Sequence, residues 1–421
     1  MDWQCPGCGS MNPPETAECL CGSGHDRPVG VDMARPQEPN SSQDRGQPLS
    51  VDGPAVAISD GDTGSRALPL EFRGSAREYF RIWIVNKSLT LLTLGIFSAW
   101  AKVRRKRYLY SHTTLGGTPF QYLGLPIPIL KGRILAAAGF LLYYLSTHFF
   151  TYLLPYVIAA GMIAAPWVMV RSAAFNARYS AFRNMTFHFD GSYMDAFKVL
   201  YAWGVVALFI VAFIVASIYG NPKYTGIAVG VIALIFTLSV PWWVKRLKKF
   251  LVEHSSYGGR KGVFSATGGQ FYKIFLLSAL ILLAVAIASV ALSQLMSGLK
   301  STIFPFVIIV PIYAGYVLAY AFYQSRSGNL VWNHTALGPI RFRSALRSRD
   351  LLKLYVTNAL GIVASLGLLI PWAVMRTMKY RADTMRVTLE GELTGFEGSD
   401  LTRVGALGAE TMEIFDMDFS L

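Results

Sequence analysis

A chain of 421 residues that is 53% hydrophobic and only 15% charged, with a mean hydropathy of +0.38, lies far from a soluble globular domain, where about a quarter of residues are charged. The 39 Lys or Arg against 25 Asp or Glu give a net charge of +14, but the cations cluster beside the ends of apolar runs rather than in one patch, which argues against a nucleic-acid partner. A very hydrophobic soluble bundle is set aside too, because those runs carry no polar stripe at helical period.

The first thirty residues lack the basic start and apolar stretch of a cleaved signal, so insertion is expected to rely on internal helices. All four cysteines stand close together in "DWQCPGCGSMNPPETAECLCGSG", as Cys5-x2-Cys8 and Cys19-x-Cys21. Two close pairs of thiolates suit tetrahedral zinc, and a peptide this small has no core of its own without a metal. Residues 1–24 are therefore expected to be a zinc ribbon with a structural Zn2+ on Cys5, Cys8, Cys19 and Cys21. Disulfides are the alternative. The stretch resembles zinc ribbons and the Ran-binding-protein type of zinc finger, with Trp3 two residues before the first cysteine and Asn12 four after the second. Its second pair has one spacer residue instead of two, which leaves His25 as a substitute ligand. That resemblance implies a protein or RNA partner; a cytoplasmic protein is the expectation here. Thiolate ligands place this end in a reducing compartment. Residues 25–68, rich in Pro, Gly, Ser and Asp, read as a disordered linker.

From residue 69 the chain repeats itself. "FRGSAREYFRI" from Phe72 returns as "FDGSYMDAFKV" from Phe189 and "FSATGGQFYKI" from Phe264, with longer variants from Phe120 and Phe342. Each reaches a basic residue (Arg81, Lys131, Lys198, Lys273, Lys353) as an apolar stretch begins. The exits repeat as well: Trp100/Arg104/Tyr108, Trp167/Arg171/Phe175, Trp242/Arg246/Phe250, Phe322/Arg326/Leu330 and Trp372/Arg376/Tyr380. Spacing of four puts each trio on one helix face, with the ring at headgroup depth and the Arg one turn beyond. Plain snorkelling anchorage explains any one copy; five in phase point to internal repeats.

Basic flanks at every lead-in and exit place all ten on the cytoplasmic side, so each unit must enter and leave by one face. Units two, three and four have about 34, 44 and 49 residues between flanks, enough for two crossings each. The resulting expectation for residues 69–388 is an all-α polytopic membrane domain: six spanning helices as three hairpins, turning near Thr151–Pro155, Tyr219–Tyr224 and Ser297–Ser301. Units one and five have only about 19 residues, room for one crossing or one re-entrant dip. They align without gaps, Asn86 against Asn358, Gly95 against Gly367 and Trp100 against Trp372. Polar Asn, Thr and Ser in mid-run favour a broken, re-entrant segment. Eight plain crossings, with both termini outside, are the alternative.

Short alternating segments such as "TTLGGTPFQY", "MTFHFDG" and "TALGPIRFRS" read as small β-hairpins on the cytoplasmic face. "LPLEFRG" and "MRVTLEGEL" have the same look and are candidates to pair with each other or with the hairpins. Residues 389–421 form an acidic cytoplasmic tail that is expected to dock against the basic exits.

The stretch "FRGSAREYFRIWIVNKSLTLLTLGIFSAWAKVRRKRYLYSHTTLGGTPFQYLG" resembles the YjgN family of bacterial inner-membrane proteins, a domain of unknown function, and the likeness extends over residues 70–421. It implies a multi-pass inner-membrane protein and supplies no reaction or catalytic residue; the zinc ribbon is an addition to the pattern. No phosphate-cradling loop, serine elbow or zinc-protease helix is present, and no carboxylate lies inside an apolar run. The expected function is therefore non-enzymatic. The leading reading is transport or channel-like, with Asn86 and Asn358 along a path; the alternative is a membrane-organising or lipid-interacting scaffold whose ribbon recruits a cytoplasmic partner, and a membrane enzyme on lipid headgroups, for which only the His and Arg positions offer themselves, is the third class. Arg104, Arg171, Arg246, Arg326 and Arg376, with His112, His254 and His334, are candidate lipid-headgroup contacts, the histidines otherwise being structural. Membrane lipids are the expected partners, and the oligomeric state is left open.

Overall fold

The segments with turn glycines do become strands, and the chain uses them to close a ring that its hydropathy does not announce. In the computed structural model, residues 3–4, 11–12, 65–201, 222–295 and 304–390 are described. The chain divides into two units, Met1–Gly61 and Asp62–Leu421. In the first, β1 (Trp3–Gln4) pairs antiparallel with β2 (Met11–Asn12), Trp3 opposite Asn12. Cys5, Cys8, Cys19, Cys21, His25 and nearly all of the linker lie outside the described residues, as does the tail beyond Glu390.

The second unit contains ten strands: β3 (Ser65–Phe72), β4 (Thr113–Leu115), β5 (Thr118–Tyr122), β6 (Ser180–Phe182), β7 (Met185–Phe189), β8 (Ser255–Tyr257), β9 (Arg260–Phe264), β10 (Thr335–Leu337), β11 (Ile340–Ser344) and β12 (Met385–Glu390). They pair antiparallel in chain order and close as a barrel where β12 meets β3, Val387 opposite Leu68 and Glu390 opposite Ser65. Two-residue turns join β4 to β5, β6 to β7 and β8 to β9. Gly116–Gly117, Arg183–Asn184 and Gly258–Gly259 all have positive φ there, the conformation that matches strand twist. Gly338–Pro339 makes the fourth turn, with Gly338 at φ 57.

In an all-antiparallel barrel the tight turns share one rim and the remaining connections share the other. Five helical excursions therefore rise from a single rim: α1 (Ala76–Leu92) with α2 (Ser98–Ser111), α3 (Pro126–His148) with α4 (Leu154–Arg178), α5 (Tyr193–Tyr201) with α6 (Pro222–Glu253), α7 (Gly268–Leu295) with α8 (Phe304–Asn333), and α9 (Ser348–Ala364) with α10 (Ile370–Asp383). The same backbone bond pins the base of each. The amides of Arg73, Leu123, Asp190, Ser265 and Ala345 donate to the carbonyls of His112, Tyr179, His254, His334 and Thr384 at 2.8–3.0 Å. Each exit helix packs on the next lead-in helix, α2 on α3, α4 on α5, α6 on α7 and α8 on α9, and α10 closes the circle against α1.

This corrects the all-α expectation of six spanning helices: the domain is a closed ten-strand barrel carrying helices. Among the described residues three helices are long and apolar enough to cross a membrane, Pro126–His148, Thr151–Arg178 and Gly268–Leu295. Strand lengths of three to eight residues explain the miss, since no short hairpin announces that it will pair with another about seventy residues away. The repeat units and the pairing of "MRVTLE" with the first strand are as expected. The first turn falls at a 3-10 helix, Thr151–Leu153; the turn at Ser297–Ser301 and the start of the one at Tyr219–Tyr224 lie outside the described residues. The two short units are not single crossings, because each returns to the strand beside the one it left.

The barrel's inner face is apolar: Leu70, Phe72, Leu115, Phe182, Tyr257, Ile340, Val387 and Leu389 belong to one core cluster that also takes in Tyr108 and Met375 from the exit helices. Tyr257 is buried there, its hydroxyl donating to the Phe182 carbonyl at 2.8 Å between rings of Phe182 and Phe187. Burial pushes its phenol up to about 12, against a smaller lowering by the Arg183 guanidinium. In the unfolded chain it ionises near pH 10, so its contribution is whole below about pH 10 and drains away towards pH 12, by about 1.4 kcal/mol per pH unit. Thermal melts between pH 9 and 12 are expected to fall less steeply for Tyr257→Phe than for the native chain, and equal slopes would contradict this burial.

Candidate functional site

Asn86 and Asn358 sit at equivalent places in the two short helical hairpins, both buried. Each hairpin breaks in the same way. The amides of Gly95 and Gly367 reach back to the carbonyls of Thr90 and Ile362 at 2.8 Å, a Schellman stop in which Leu94 (φ 48) and Leu366 (φ 49) occupy the left-handed position that glycine usually takes. The polar residues in mid-run serve this break: Thr93 and Ser365 hydroxyls accept the amides of Phe97 and Leu369 at 2.9 Å, satisfying the first turn of the following helix. Asn358 ties its hairpin together, its Nδ2 donating to Thr377 Oγ1 at 3.2 Å and its Oδ1 accepting from Arg376 at 3.4 Å. Asn86 Oδ1 is buried with no hydrogen-bond partner.

The ring-and-arginine ladders form in four units. Arg171, Arg246, Arg326 and Arg376 lie over Trp167, Trp242, Phe322 and Trp372 at 5.9, 4.8, 5.8 and 5.1 Å, cation–π contacts one helical turn apart. Arg171 also faces Tyr193, at 6.0 Å. Arg104, in the first unit, is exposed. Since all five exit helices descend to the same rim, these guanidinium groups form one collar.

The histidines close helices. Nδ1 of His112, His254 and His334 lies 2.7–2.9 Å from the carbonyl four residues earlier. A carbonyl only accepts, so Nδ1 carries the proton. The remaining nitrogen of His334 faces the Gln270 amide at 3.1 Å, and that of His112 lies 3.9 Å from Glu78. Thr384 makes the equivalent bond with its hydroxyl, at 2.9 Å. These bonds brace the return of each helix to the barrel, the structural role that the sequence offers for the histidines. Among the described residues, no group of three or more His, Cys, Asp or Glu is placed to hold a metal ion.

A cluster that sequence reasoning missed lies between α2 and α4. Lys102 and Lys106, 8% and 5% exposed, share the inward face of α2 with Ala99, Val103 and Tyr110. Lys106 Nζ donates to Asn176 Oδ1 at 3.3 Å and stands 5.3 Å from the Tyr122 ring centre; one turn on, Tyr110 meets Ser180 at 2.9 Å. The signal was available in "SAWAKVRRKRYLY": two lysines four apart, in phase with the apolar residues instead of with Arg104. Fully buried Ser172 stands one turn before Asn176 on α4.

The two asparagines now separate. Asn358→Leu is expected to cost about 1–3 kcal/mol, since Thr377 and Arg376 lose a buried partner. Asn86→Leu is expected to be neutral or stabilising, because it removes an orphaned carbonyl. Denaturant titration of the micelle-solubilised protein measures both, and the opposite order would overturn these assignments.

Residues 67–414 match the DUF898 family, described as bacterial protein of unknown function. Inner membrane protein YjgN of Salmonella typhimurium is 29% identical over 176 residues, 39% of this chain and 44% of that protein. Inner membrane protein YjgN of Escherichia coli, in strain K12 and in O157:H7, is 40% identical over 68 residues, 16% of this chain and 17% of theirs. The chain thus spans less than half the length of these curated relatives. No solved structure matches it. With a match over most of its length, covering the barrel and every helix described above, the chain belongs to the DUF898 family of bacterial proteins.

Proposed function

We propose that this DUF898 protein is a non-enzymatic, multi-pass protein of the bacterial inner membrane that organises anionic lipid around its barrel, a scaffold in preference to a conduit. The observation that carries this reading is the collar: four arginines at equivalent repeat positions, each on an aromatic ring, above a single rim. An arginine held on an interfacial ring can present its guanidinium fork to a phosphate; that of Arg376 is shared with Thr357 and Asn358. Surface cations near anionic headgroups contribute about 1 kcal/mol each. The inner-membrane placement is supported by the names of the relatives and by the three apolar helices.

The barrel belongs on the cytoplasmic side in this reading. Residues 65–390 hold 35 Lys or Arg against eight Asp or Glu, and cationic flanks stay inside. Both chain ends leave the barrel beside each other, Ser65 opposite Glu390, which supports placing the two termini together in the cytoplasm. The short hairpins then dip into the bilayer and return: Leu94 and Leu366 at their tips are 94% and 95% exposed, apolar residues held out by a strained turn. Cys5, Cys8, Cys19 and Cys21 hold a structural Zn2+ in this reading, and the small finger so formed recruits a cytoplasmic protein. Metal analysis of the purified full-length chain is expected to give one zinc per molecule, lost in Cys5→Ser/Cys8→Ser.

The transport reading keeps one supporting observation, the partnerless Asn86 carbonyl in a broken segment. The test separates the two. In nanodiscs, retention of phosphatidylglycerol over phosphatidylcholine is expected to fall by about fivefold for each of Arg171, Arg246 and Arg326 changed to Gln, the equivalent of about 1 kcal/mol apiece. Unchanged lipid selectivity in the triple variant, together with loss of solute flux in Asn86→Leu liposomes, would replace the scaffold by the conduit.

A further inference from the structure

The lumen of the barrel contains a layer to which every repeat unit contributes. Two residues before the end of the odd-numbered barrel strands stand Leu70, Phe120, Phe187, Gly262 and Phe342, and all five line an apolar cavity of about 100 Å³. Three units thus place a phenylalanine in the layer, the first a leucine, and the fourth no side chain at all. The gap has a backbone cause: a Cβ added at Gly262 would run into the Val252 carbonyl at the foot of α6. The layer is one ring short, and the cavity lies where that ring would be.

The hydroxyls on the wall are already committed. Ser180, Ser255 and Thr335, the first residues of three returning strands, donate to the carbonyls of Asn176, Leu251 and Val331 at 2.7–2.8 Å. The Tyr110 hydroxyl stands 2.9 Å from that of Ser180, whose proton is already given, so Tyr110 is the donor of that pair. At the equivalent place in the last unit Met385 sets a flexible thioether on the same wall. A buried water needs two to four polar partners, whereas an apolar cavity of about 150 Å³ stays dry and takes up benzene or xenon. Ten strands enclose more room than eight, which side chains alone can fill. Tyr110, Val252 and Trp332 belong to α2, α6 and α8, so the cavity reaches the helical rim, the side on which the apolar helices stand.

We propose that the barrel lumen binds one small uncharged apolar group, about the size of a benzene ring, in the place of the phenylalanine that the fourth unit lacks. Phe120, Phe187 and Phe342 surround it, and the bare backbone of Gly262 gives it room. A free hydrocarbon ring and the end of a lipid acyl chain share this chemistry, about six carbon atoms with no hydrogen-bonding group. The proposal is independent of the arginine collar, which stands on the exit helices and not in the lumen.

Fluorine NMR of the full-length chain in micelles, with fluorobenzene as the probe, reads the site. A second resonance is expected beside that of micelle-dissolved fluorobenzene. It is expected to vanish in Leu70→Phe, which supplies the missing ring from the first unit. Val387→Ile adds one methylene to the same wall and is expected to weaken binding by about tenfold, which keeps the test open if Leu70→Phe fails to fold. Leu135→Phe, on the exposed side of α3, is expected to leave the resonance unchanged. Nanodiscs of phosphatidylcholine brominated at its chain ends separate the two sources. A lipid chain end in the lumen quenches the emission that Trp332→Phe removes, because Trp332 stands on the cavity wall at the rim. A free ligand leaves that emission unquenched and the fluorobenzene resonance in place. A native chain with neither the second resonance nor the quenching would overturn the proposal, as would a resonance that survives both lumen substitutions undiminished.

Discussion

The molecule depends on one backbone contact made five times. The residue after each odd-numbered barrel strand donates its amide to the residue that ends the returning helix, at 2.8–3.0 Å. Neighbouring strands stand about 4.8 Å apart, so an excursion must end one strand's width from where it began. An odd number of passes through a bilayer cannot meet that condition. Two of the units have long apolar stretches described on both sides of a turn, and they meet it as hairpins. The two short units have too few residues for a pair of full passes, and they meet it by breaking their helix at Leu94–Gly95 and Leu366–Gly367. A leucine in the left-handed region costs of order 1 kcal/mol or more, and the same cost is borne at equivalent positions in both units. The strain follows from the closure condition joined to an apolar tip.

Closure of the barrel follows from the same contact. Strands of three to five residues are too short to be stable as separate hairpins in water, and each would leave two open edges. Pairing every hairpin with the next, and β12 with β3, removes all edges at once. The helical layer repeats the pattern, since each exit helix packs against the next lead-in and α10 meets α1. Sheet ring and helix ring therefore close at the same seam, between the first and last units. The paired asparagines lie on the helical side of that seam, and Asn358 uses its amide to bind α9 to α10 by way of Thr377 and Arg376. Asn358 is thereby a tie within the last unit, whereas Asn86 leaves its carbonyl unpartnered in the first.

Much of this was legible in the sequence, for identifiable reasons. The five units showed because their rings and arginines recur at spacing four, which survives in the structure as cation–π contacts in four of them. The broken hairpins showed because Asn, Thr and Ser interrupt runs too short for two crossings. The hairpins between units showed in their turn residues, Gly116–Gly117, Gly258–Gly259 and Gly338–Pro339. The barrel did not show, because β-pairing between segments about seventy residues apart leaves no local periodicity. The α2–α4 cluster did not show because "KVRRKRY" reads as an undivided basic flank until the helix is given a direction. Once Ala99, Val103 and Tyr110 are seen to face inward, Lys102 and Lys106 must face inward with them. The histidines show that recurrence in phase marks a shared structural duty as readily as a shared ligand.

Charge is what binds these levels together. The barrel domain has more than four cations for every carboxylate, and the two kinds of position it uses for them differ physically. At the exit-motif positions, Arg171, Arg246, Arg326 and Arg376 each lie over an aromatic ring one helical turn away. On the inward face, Lys102 and Lys106 are held among Ala99, Val103 and Tyr122, with the Asn176 amide oxygen and the Tyr122 ring beside Lys106. An ammonium removed from water is tolerated only beside an acceptor, and Asn176 Oδ1 is one such acceptor for Lys106.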